Sequence, residues 1–454
     1  MRGRGFELQK VLDENENYFP KLSLALKRMV ITSGPWIISI CTLLIIKVFL
    51  THIITKELFT TFISIIIYAF IFSIIITSPF INIITRYISD KIYLNERDKI
   101  LPTFFSSLIL IALISFISAV LFIQYNTNLQ EFKIDVAYLF TALSILWLIM
   151  AFVSTLKDYD FVTYSFLIGM IISFILLYFV WNIGLSQLLQ SLTMGILFTI
   201  SLLIARIMIQ FTSDKLFDFS FLFVKKYYLL FFSNLFLYLG LWIDKFLYWI
   251  SDKGEEVIKG FYFFADYDFI VFLAYLTLIP TTAYITVYIE TVFHENQKKY
   301  SKSIENKERL SNIKIFEERL KKSFFIGLIK TAVFQFSLAI LFVLIVQFIL
   351  DSNNINVSTI PLLRITIFAV SIQMLINVLV IFLYYFDFQK EVLFIAIFFL
   401  LSNFIITVFM VNLPYEYVGY SYFISTLLTF VLSLFIVLYK IEKINFYTFI
   451  NNEV

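Results

Sequence analysis

Charged side chains inside long apolar runs are the residues of this sequence best placed to do chemistry. Asp244 and Lys245 lie within NLFLYLGLWIDKFLYW, a run that is otherwise almost entirely apolar and aromatic. A charge near the centre of a bilayer costs on the order of 3 kcal/mol, so a charge that remains there usually faces a cavity or another charge. We therefore take this pair as the first candidate for a substrate path or a gate.

The two side chains are expected to find partners outside their own turn. Neighbouring residues of an α-helix point about 100° apart, which predicts that Asp244 and Lys245 do not satisfy each other. Arg364 and Lys47, each near the same end of an apolar run, are the predicted partners of Asp244, and Asp268 completes the candidate group. The alternative is structural: Lys245 snorkels to the membrane surface and Asp244 lies among the headgroups.

Two further charges and four backbone positions complete the candidate set. Lys330 and Glu290, near the opposite membrane face, are typical of snorkelling or capping groups and are second-rank candidates for an inner gate. Proline removes a helical hydrogen bond and glycine weakens a turn, so both mark bends. The hinge candidates are Gly34, Pro35, Pro79 and Pro280.

Several classes of chemistry are excluded by composition. Cys41 is the only cysteine, and His52 and His294 are the only histidines, which excludes a thiol redox pair, a disulfide framework and a Cys/His metal cluster. The sequence has no phosphate-binding loop and no dinucleotide fingerprint. The formal net charge of +3 gives no signal for nucleic acid. We expect no enzymatic activity, cofactor or metal.

The elements that must position these charges are membrane-spanning helices. Sixty per cent of the 454 residues are hydrophobic, well above the share in a soluble domain. Crossing about 30 Å of hydrocarbon takes about 20 apolar residues. Twelve runs are long enough: 29–50, 59–85, 101–124, 135–156, 161–182, 193–211, 226–250, 268–292, 323–349, 359–386, 390–412 and 417–440. The predicted fold class is an all-α integral membrane protein.

Lysine and arginine in the connections predict its orientation. Both terminal segments and the even-numbered connections together hold 27 Lys and Arg residues, and the odd-numbered connections hold 4. Positive residues stay on the cytoplasmic side, so both termini of this multi-pass chain are predicted to be cytoplasmic.

An internal repeat predicts two pseudo-symmetric bundles of six helices. The pattern P-x4-I-T-x-Y-I begins at Pro79 and again at Pro280, six predicted helices later. An even displacement makes the halves parallel, as in transporters that rock two bundles around a central site. The predicted parts are a cytoplasmic segment 1–28, a first bundle 29–211, a cytoplasmic linker 212–225, a second bundle 226–440 with a cytoplasmic loop 293–322, and a cytoplasmic tail 441–454.

Within that loop, the stretch from His294 to Lys322 has two interpretations. Leu310, Ile313 and Leu320, with Phe316 or Glu317 between them, follow near-helical spacing. The stretch is then either a solvated, positively charged loop or an amphipathic helix that docks a partner or anionic lipid.

Several ordered motifs resemble one family. They are Gly5-Phe6-Glu7-Leu8 with Lys10, Ser33-Gly34-Pro35-Trp36, Trp242-Ile243-Asp244-Lys245 with Trp249, Tyr267-Asp268, Phe272-Leu273-Ala274-Tyr275-Leu276 with Ile279-Pro280, and Glu290-Thr291 before Phe293. In this order they resemble the Pel exopolysaccharide exporter family, PelG, a branch of the multidrug/oligosaccharidyl-lipid/polysaccharide flippase superfamily. The resemblance implies two six-helix bundles and export of a hexosamine-rich polysaccharide across the bacterial cytoplasmic membrane for a biofilm matrix. It also implies a soluble glycosyltransferase and membrane subunits, including a cyclic di-GMP receptor, as partners.

Three hypotheses follow. The first is an exopolysaccharide exporter with a cavity between the bundles, where the charges act in gating because a neutral sugar chain needs hydrogen bonds and aromatic faces more than net charge. The second is a lipid-linked oligosaccharide flippase or a cation-coupled drug exporter. The third is a non-transporting membrane scaffold of the synthase.

Overall fold

The computed structural model describes residues 54–124, 127–156, 159–179, 184–224, 227–352 and 359–451. In these residues, eleven helical segments are long and apolar enough to cross a membrane, one for each predicted span that falls there. The predicted helical membrane fold is confirmed. The first predicted span, 29–50, lies outside the described residues, as do segment 1–28, Gly34, Pro35 and Lys47. The cytoplasmic placement of the termini stays a prediction.

The chain's own contacts group it into two compact units that divide between Phe264 and Ala265. We call the described residues 54–264 the first unit and 265–451 the second unit. The sequence analysis placed a boundary earlier, at 212–225. The helix Tyr228–Trp249 groups with the first unit because it packs along the helix Lys56–Tyr93. The division into six and six helices stays a prediction.

The first unit is built on one long helix against which others pack. The helices are α1 (Lys56–Tyr93), α2 (Ile100–Gln124), α3 (Lys133–Leu156), α4 (Tyr159–Tyr178), α5 (Leu185–Gln210) and α6 (Tyr228–Trp249). The main packed pairs are α4 with α5, α2 with α3, α3 with α5, and α1 with both α3 and α6.

Pro79 lies inside α1, and the surrounding side chains compensate for its missing N–H group. A proline cannot donate to the carbonyl four residues earlier, here that of Ile75. Ser78 Oγ donates to this carbonyl at 3.3 Å. Asn234 Nδ2 of α6 donates to the Ser78 carbonyl at 2.6 Å. The helix therefore continues through Pro79 and is hydrogen-bonded to α6 beside it.

Two glycines let α4 and α5 cross closely. A Cβ built on Gly169 would lie 2.5 Å from the carbonyl oxygen of Gly195, and one built on Gly195 would overlap the carbonyl oxygen of Gly169. Thr199 Oγ1 shares its proton between the Gly195 carbonyl of its own helix, at 3.1 Å, and the Ser165 carbonyl across the crossing, at 3.3 Å. Small residues at this spacing are the usual way for membrane helices to approach.

A short antiparallel hairpin follows α6 and was not predicted. Its strands are β1 (Glu255–Ile258) and β2 (Phe261–Phe263). Gly260 has φ +86° at the turn, a conformation that glycine adopts without strain. The backbone N–H of Tyr262 donates to Tyr68 Oη of α1 at 2.8 Å, so the hairpin is fixed to the first unit.

The second unit contains eight helices among the described residues. The helices are α7 (Ala265–Leu276), α8 (Leu278–Tyr288), α9 (His294–Glu305), α10 (Leu310–Ser352), α11 (Thr359–Tyr385), α12 (Gln389–Met410), α13 (Tyr420–Glu442) and α14 (Ile444–Asn451), with a π-helical turn, Ile289–Phe293, between α8 and α9. The pairs with the most extensive packing are α11 with α13 and α12 with α13.

Pro280 lies beside a break in the predicted span 268–292. The chain leaves α7 at Leu276 and enters α8 at Leu278, with Thr277 between them. Pro280 is then in the first turn of α8, where a missing N–H is tolerated. Its role as a hinge stays a prediction.

Most of the stretch from His294 to Lys322 is helical, in α9 and the start of α10, with a turn at 306–309 between them. Ile313 and Leu320 are buried in the second unit, whereas Leu310 is exposed. The buried Tyr300 donates its hydroxyl to Asn445 Oδ1 at 2.7 Å, which ties α9 to α14. Most of the predicted stripe therefore packs within the chain and does not form a free docking face.

Candidate functional site

The candidate site in the first unit is an ion pair near the end of α6. Lys245 Nζ lies 3.1 Å from Asp244 Oδ1 and donates to the Leu241 carbonyl at 2.9 Å. The side chains of both charged residues are almost completely buried. The indole ring of Trp242 lies 5.6 Å from the ammonium group, within cation–π distance. The pair places two opposite charges inside the protein with no net charge.

The prediction that adjacent residues could not satisfy each other is wrong. The angle between neighbouring side chains on a helix holds for Cβ positions, but four rotatable bonds let the lysine stem turn back toward the N-terminal side of its own helix. The ammonium group then reaches both the preceding-turn carbonyl and the adjacent carboxylate. Because both residues are buried, they do not lie among the headgroups, as the structural alternative required.

Aromatic rings pack together where the same part of α6 contacts α1. Phe246 stacks on Phe72 with centroids 5.2 Å apart and planes 2° from parallel. One turn further along, Trp249 stacks on Tyr68 at 4.8 Å. These stacked rings join α6 to α1, and the burial of the Asp244–Lys245 pair itself strengthens its attraction by lowering the effective dielectric.

Of the other predicted charged residues, the four that the structure describes all belong to the second unit. Arg364 is exposed and donates to Gln347 Oε1 at 2.7 Å. Asp268 is half-buried in the first turn of α7. Glu290, in the π-helical turn, and Lys330, in α10, are both exposed. The pairing of Arg364 with Asp244 stays a prediction, and Lys47 lies outside the described residues.

A polar network that the sequence analysis missed lies inside the second unit. Thr277 donates its hydroxyl to the Ala274 carbonyl, and Ser371 donates its hydroxyl to the Ile367 carbonyl. Both hydroxyl protons are therefore used, so Gln335 Nε2 must be the donor to both oxygens, at 3.2 and 3.1 Å. This network joins the break between α7 and α8 to α10 and α11.

A chain of hydrogen bonds through Tyr275, Tyr422 and Gln373, which we call the tyrosine relay, lies in the same unit. Tyr422 of α13 donates to Gln373 Oε1 of α11 at 2.6 Å, and Tyr275 Oη lies 3.3 Å from Tyr422 Oη. Tyr422 and Gln373 are both buried. Because the proton of Tyr422 goes to Gln373, Tyr275 is the donor to Tyr422. The relay contains no charged group.

We expect Tyr422→Phe to destabilise the protein by about 1–2 kcal/mol, because the buried Gln373 oxygen loses its donor. Thermal unfolding in detergent measures the change. Tyr420→Phe, which alters an exposed ring on the same helix, is the matched control and should leave the melting temperature unchanged. If both substitutions lower the melting temperature equally, the hydrogen bond from Tyr422 to Gln373 does not contribute specifically to stability.

At one end of the first unit, the connection from α5 to α6 is fixed by Asp218. Its backbone N–H donates to Ser106 Oγ of α2 at 2.8 Å, and its carboxylate accepts from Tyr87 Oη of α1 at 3.0 Å. Partial burial by itself raises the pKa of Asp218, but hydrogen bonds from Ser220 and Tyr87 hold it below the usual value. The predicted linker 212–225 is thus attached to two helices.

The turn between α1 and α2 carries a triad of charges. Glu96 accepts from Lys91 Nζ at 2.7 Å and from Lys99 Nζ at 2.8 Å. These two charged hydrogen bonds lower the pKa of Glu96 to about 2. The carboxylate therefore stays ionised well into the acid range.

The depressed pKa of Glu96 predicts a pH dependence. Its contribution to stability is present above the unfolded-state pKa of about 4.5 and is lost as pH falls through about 2. We expect the Glu96→Gln variant to lose less thermal stability than the unmodified protein between these values. The difference should be small and should shrink in high salt, because the group is exposed. If the melting temperatures of the two proteins fall in parallel with pH in low salt, the lowered pKa of Glu96 is contradicted.

The comparisons with known proteins agree with this architecture. The family model PelG, described as "Putative exopolysaccharide Exporter (EPS-E)", matches residues 1–449, and the chain therefore belongs to this family. No curated protein matches the chain significantly.

Solved transporter structures share the fold at low sequence identity. An outward-facing multidrug resistance MATE family transporter of the MOP superfamily has a TM-score of 0.62 at 11% identity, covering 93% of this chain and 97% of that one. A MOP superfamily transporter from Pyrococcus furiosus, titled for the reverse polarity of its binding pocket, has a TM-score of 0.65 at 11% identity, covering 93% and 96%. MATE in the bent conformation has a TM-score of 0.55 at 12% identity, covering 93% and 91%.

Proposed function

We propose that this chain exports a hexosamine-rich, Pel-type exopolysaccharide across the bacterial cytoplasmic membrane as the transporter of a synthase complex that builds biofilm matrix. The observation that carries the proposal is the family match over residues 1–449. Eleven candidate spans supply the membrane domain that an exporter needs. Both termini are proposed to be cytoplasmic, since the connections on that side hold most of the lysine and arginine.

We propose the Asp244–Lys245 pair as a gate element of this exporter. A neutral pair inside the protein can change partners without moving net charge into the membrane, whereas a lone charge could not. Arg364, Lys47 and Asp268 are the proposed exchange partners, with Lys330 and Glu290 as inner-gate groups of second rank. The cavity that the sequence analysis places between two bundles stays a prediction.

The proposed partners follow from the family resemblance. They are a soluble glycosyltransferase that makes the polymer and membrane subunits that include a cyclic di-GMP receptor. A polymer made on the cytoplasmic side and passed directly to the transporter would need no lipid carrier. This separates the proposal from a lipid-linked oligosaccharide flippase.

Reconstitution tests the proposal. The purified chain is placed in vesicles with the membrane subunits, and the glycosyltransferase and nucleotide sugars are supplied on the side proposed to be cytoplasmic. We expect polymer to accumulate in the lumen, protected from an added glycoside hydrolase, and vesicles without the chain should give none. Polymer that remains accessible although the complex assembles would favour the scaffold, and movement that requires an ion gradient would favour the cation-coupled alternative.

A further inference from the structure

The segment between α5 and α6, residues 211–224, exposes an unusual number of large apolar side chains. Phe223 is 81% exposed and Leu216 70%, and three more are exposed beside them, whereas Phe221 is buried. We call this set the apolar patch; its members are Leu216, Phe217, Phe219, Leu222 and Phe223. Contiguous apolar surface of this kind marks a site that contacts something other than water.

The segment is attached to the helices beside it through Asp218 and Phe221. The Asp218 N–H is bound by Ser106, and the Asp218 carboxylate accepts from Tyr87. The ring of Phe221 packs against Tyr87 with centroids 6.3 Å apart. These contacts fix the inward side of the segment to α1 and α2 and leave the apolar patch on its outward side.

The helix that leads into the segment, α5, also exposes large apolar side chains. The outward side chains of this helix, Met194, Phe198, Met208 and Ile209, recur at helical spacing and are exposed along its length. The helix ends at Gln210, one residue before the segment begins. Both α5 and α6 are candidate membrane spans, so the segment that joins them lies at a membrane surface.

We propose that residues 211–224 form a membrane-interface anchor, with the apolar patch inserted at the boundary between lipid headgroups and acyl chains. Phenylalanine and leucine are typical of the membrane-facing side of interfacial elements, and a segment with apolar side chains outward and polar attachments inward matches their geometry. The anchor sets the depth of the first unit in the bilayer and holds the α1–α2 end of that unit at the surface. It is independent of which substrate the chain transports.

Depth-dependent fluorescence quenching tests the anchor. Phe223→Cys is introduced into the full-length chain with Cys41→Ser, labelled with an environment-sensitive fluorophore, and placed in phosphatidylcholine nanodiscs that contain nitroxide-labelled lipid. Asp214→Cys, an exposed position in the same segment, is the matched control. We expect blue-shifted emission at position 223 and quenching by headgroup-proximal nitroxide that is several-fold stronger than at position 214.

Two results would overturn the proposal. Water-like emission at position 223 would show that the patch does not enter the bilayer. Blue-shifted emission without lipid quenching would show that protein covers it instead. Leu216→Cys is the second reporter and must give the same answer as Phe223→Cys, which guards against a local effect of one label.

Discussion

A Lys245→Met variant is expected to lose about 3–5 kcal/mol of stability, because it breaks a buried ion pair by removing the ammonium group 3.1 Å from the Asp244 carboxylate. The pair is almost completely buried and its two charges are 3.1 Å apart, so little water can replace the lost partner. Methionine matches the apolar length of lysine, so the packing beside Trp242 is preserved. The measurements are the melting temperature in detergent and the abundance of membrane-inserted protein.

The double variant Asp244→Asn/Lys245→Met separates stability from gating. Removing both charges eliminates the desolvation penalty, and replacement of a buried pair by neutral groups is often without cost. We expect the double variant to recover most of the lost stability. If the pair opens and closes a gate, export should nevertheless stay well below that of the unmodified chain at equal abundance.

Asp135→Asn is the charge control, because the Asp135 carboxylate accepts hydrogen bonds from the neutral side chains of Ser186 and Gln190. It should change export little. Full export by Asp244→Asn or by Lys245→Met at normal abundance would contradict the gate. Recovery of both stability and export in the double variant would show that the pair is structural only.

The spans were predictable because bilayer thickness fixes the length of an apolar run. Every predicted span among the described residues has a helix, including 193–211, whose helix begins earlier, at Leu185. The break at Thr277 was not predicted. Proline at position 280 signalled an irregularity, but hydropathy cannot place a one-residue interruption in a continuous apolar run.

The candidate site was only half predictable. Hydropathy identified Asp244 and Lys245 as costly charges, but the conformation of a long side chain depends on its tertiary surroundings, and here it turns back to Leu241. The contact of Tyr87 with Asp218 joins residues 131 positions apart, and no local pattern connects them. Buried hydroxyls and amides such as Gln335 are hard to find because polar residues occur throughout membrane helices without a charge to mark them.

The α4–α5 crossing did carry a local signal that the sequence analysis did not use. Ser165, Gly169 and Ser173 recur every fourth residue on one helix, and Gly195 and Thr199 do the same on the other. Small residues at this spacing predict close approach of two membrane helices. The pattern marks one face of α4 and one face of α5 as able to pack closely, and the structure shows that these two faces are in contact.

This crossing gives the second large effect: Gly195→Ala should destabilise the protein by about 2–3 kcal/mol. In an ordinary helix interior the same change is favourable by about 1 kcal/mol, because alanine is the better helix former. Here the new methyl group would overlap the Gly169 carbonyl oxygen, which belongs to the backbone and cannot rotate away. The two helices must separate, and the contacts along the whole crossing weaken. Reversible unfolding in mixed micelles measures the difference.

Gly184→Ala is the matched control, because it makes the same substitution at the start of the same helix. A Cβ at Gly184 would meet only the end of the flexible Gln187 side chain, at 2.9 Å. Its effect should stay below about 1 kcal/mol, the cost of alanine at a helix N-cap whose N–H is bound by the Gln187 side chain. A Gly195→Ala variant as stable as Gly184→Ala would mean that α4 and α5 do not meet at these glycines. A loss confined to Gly195→Ala, with the helical circular dichroism signal unchanged, would show that the helices form and only their crossing is impaired.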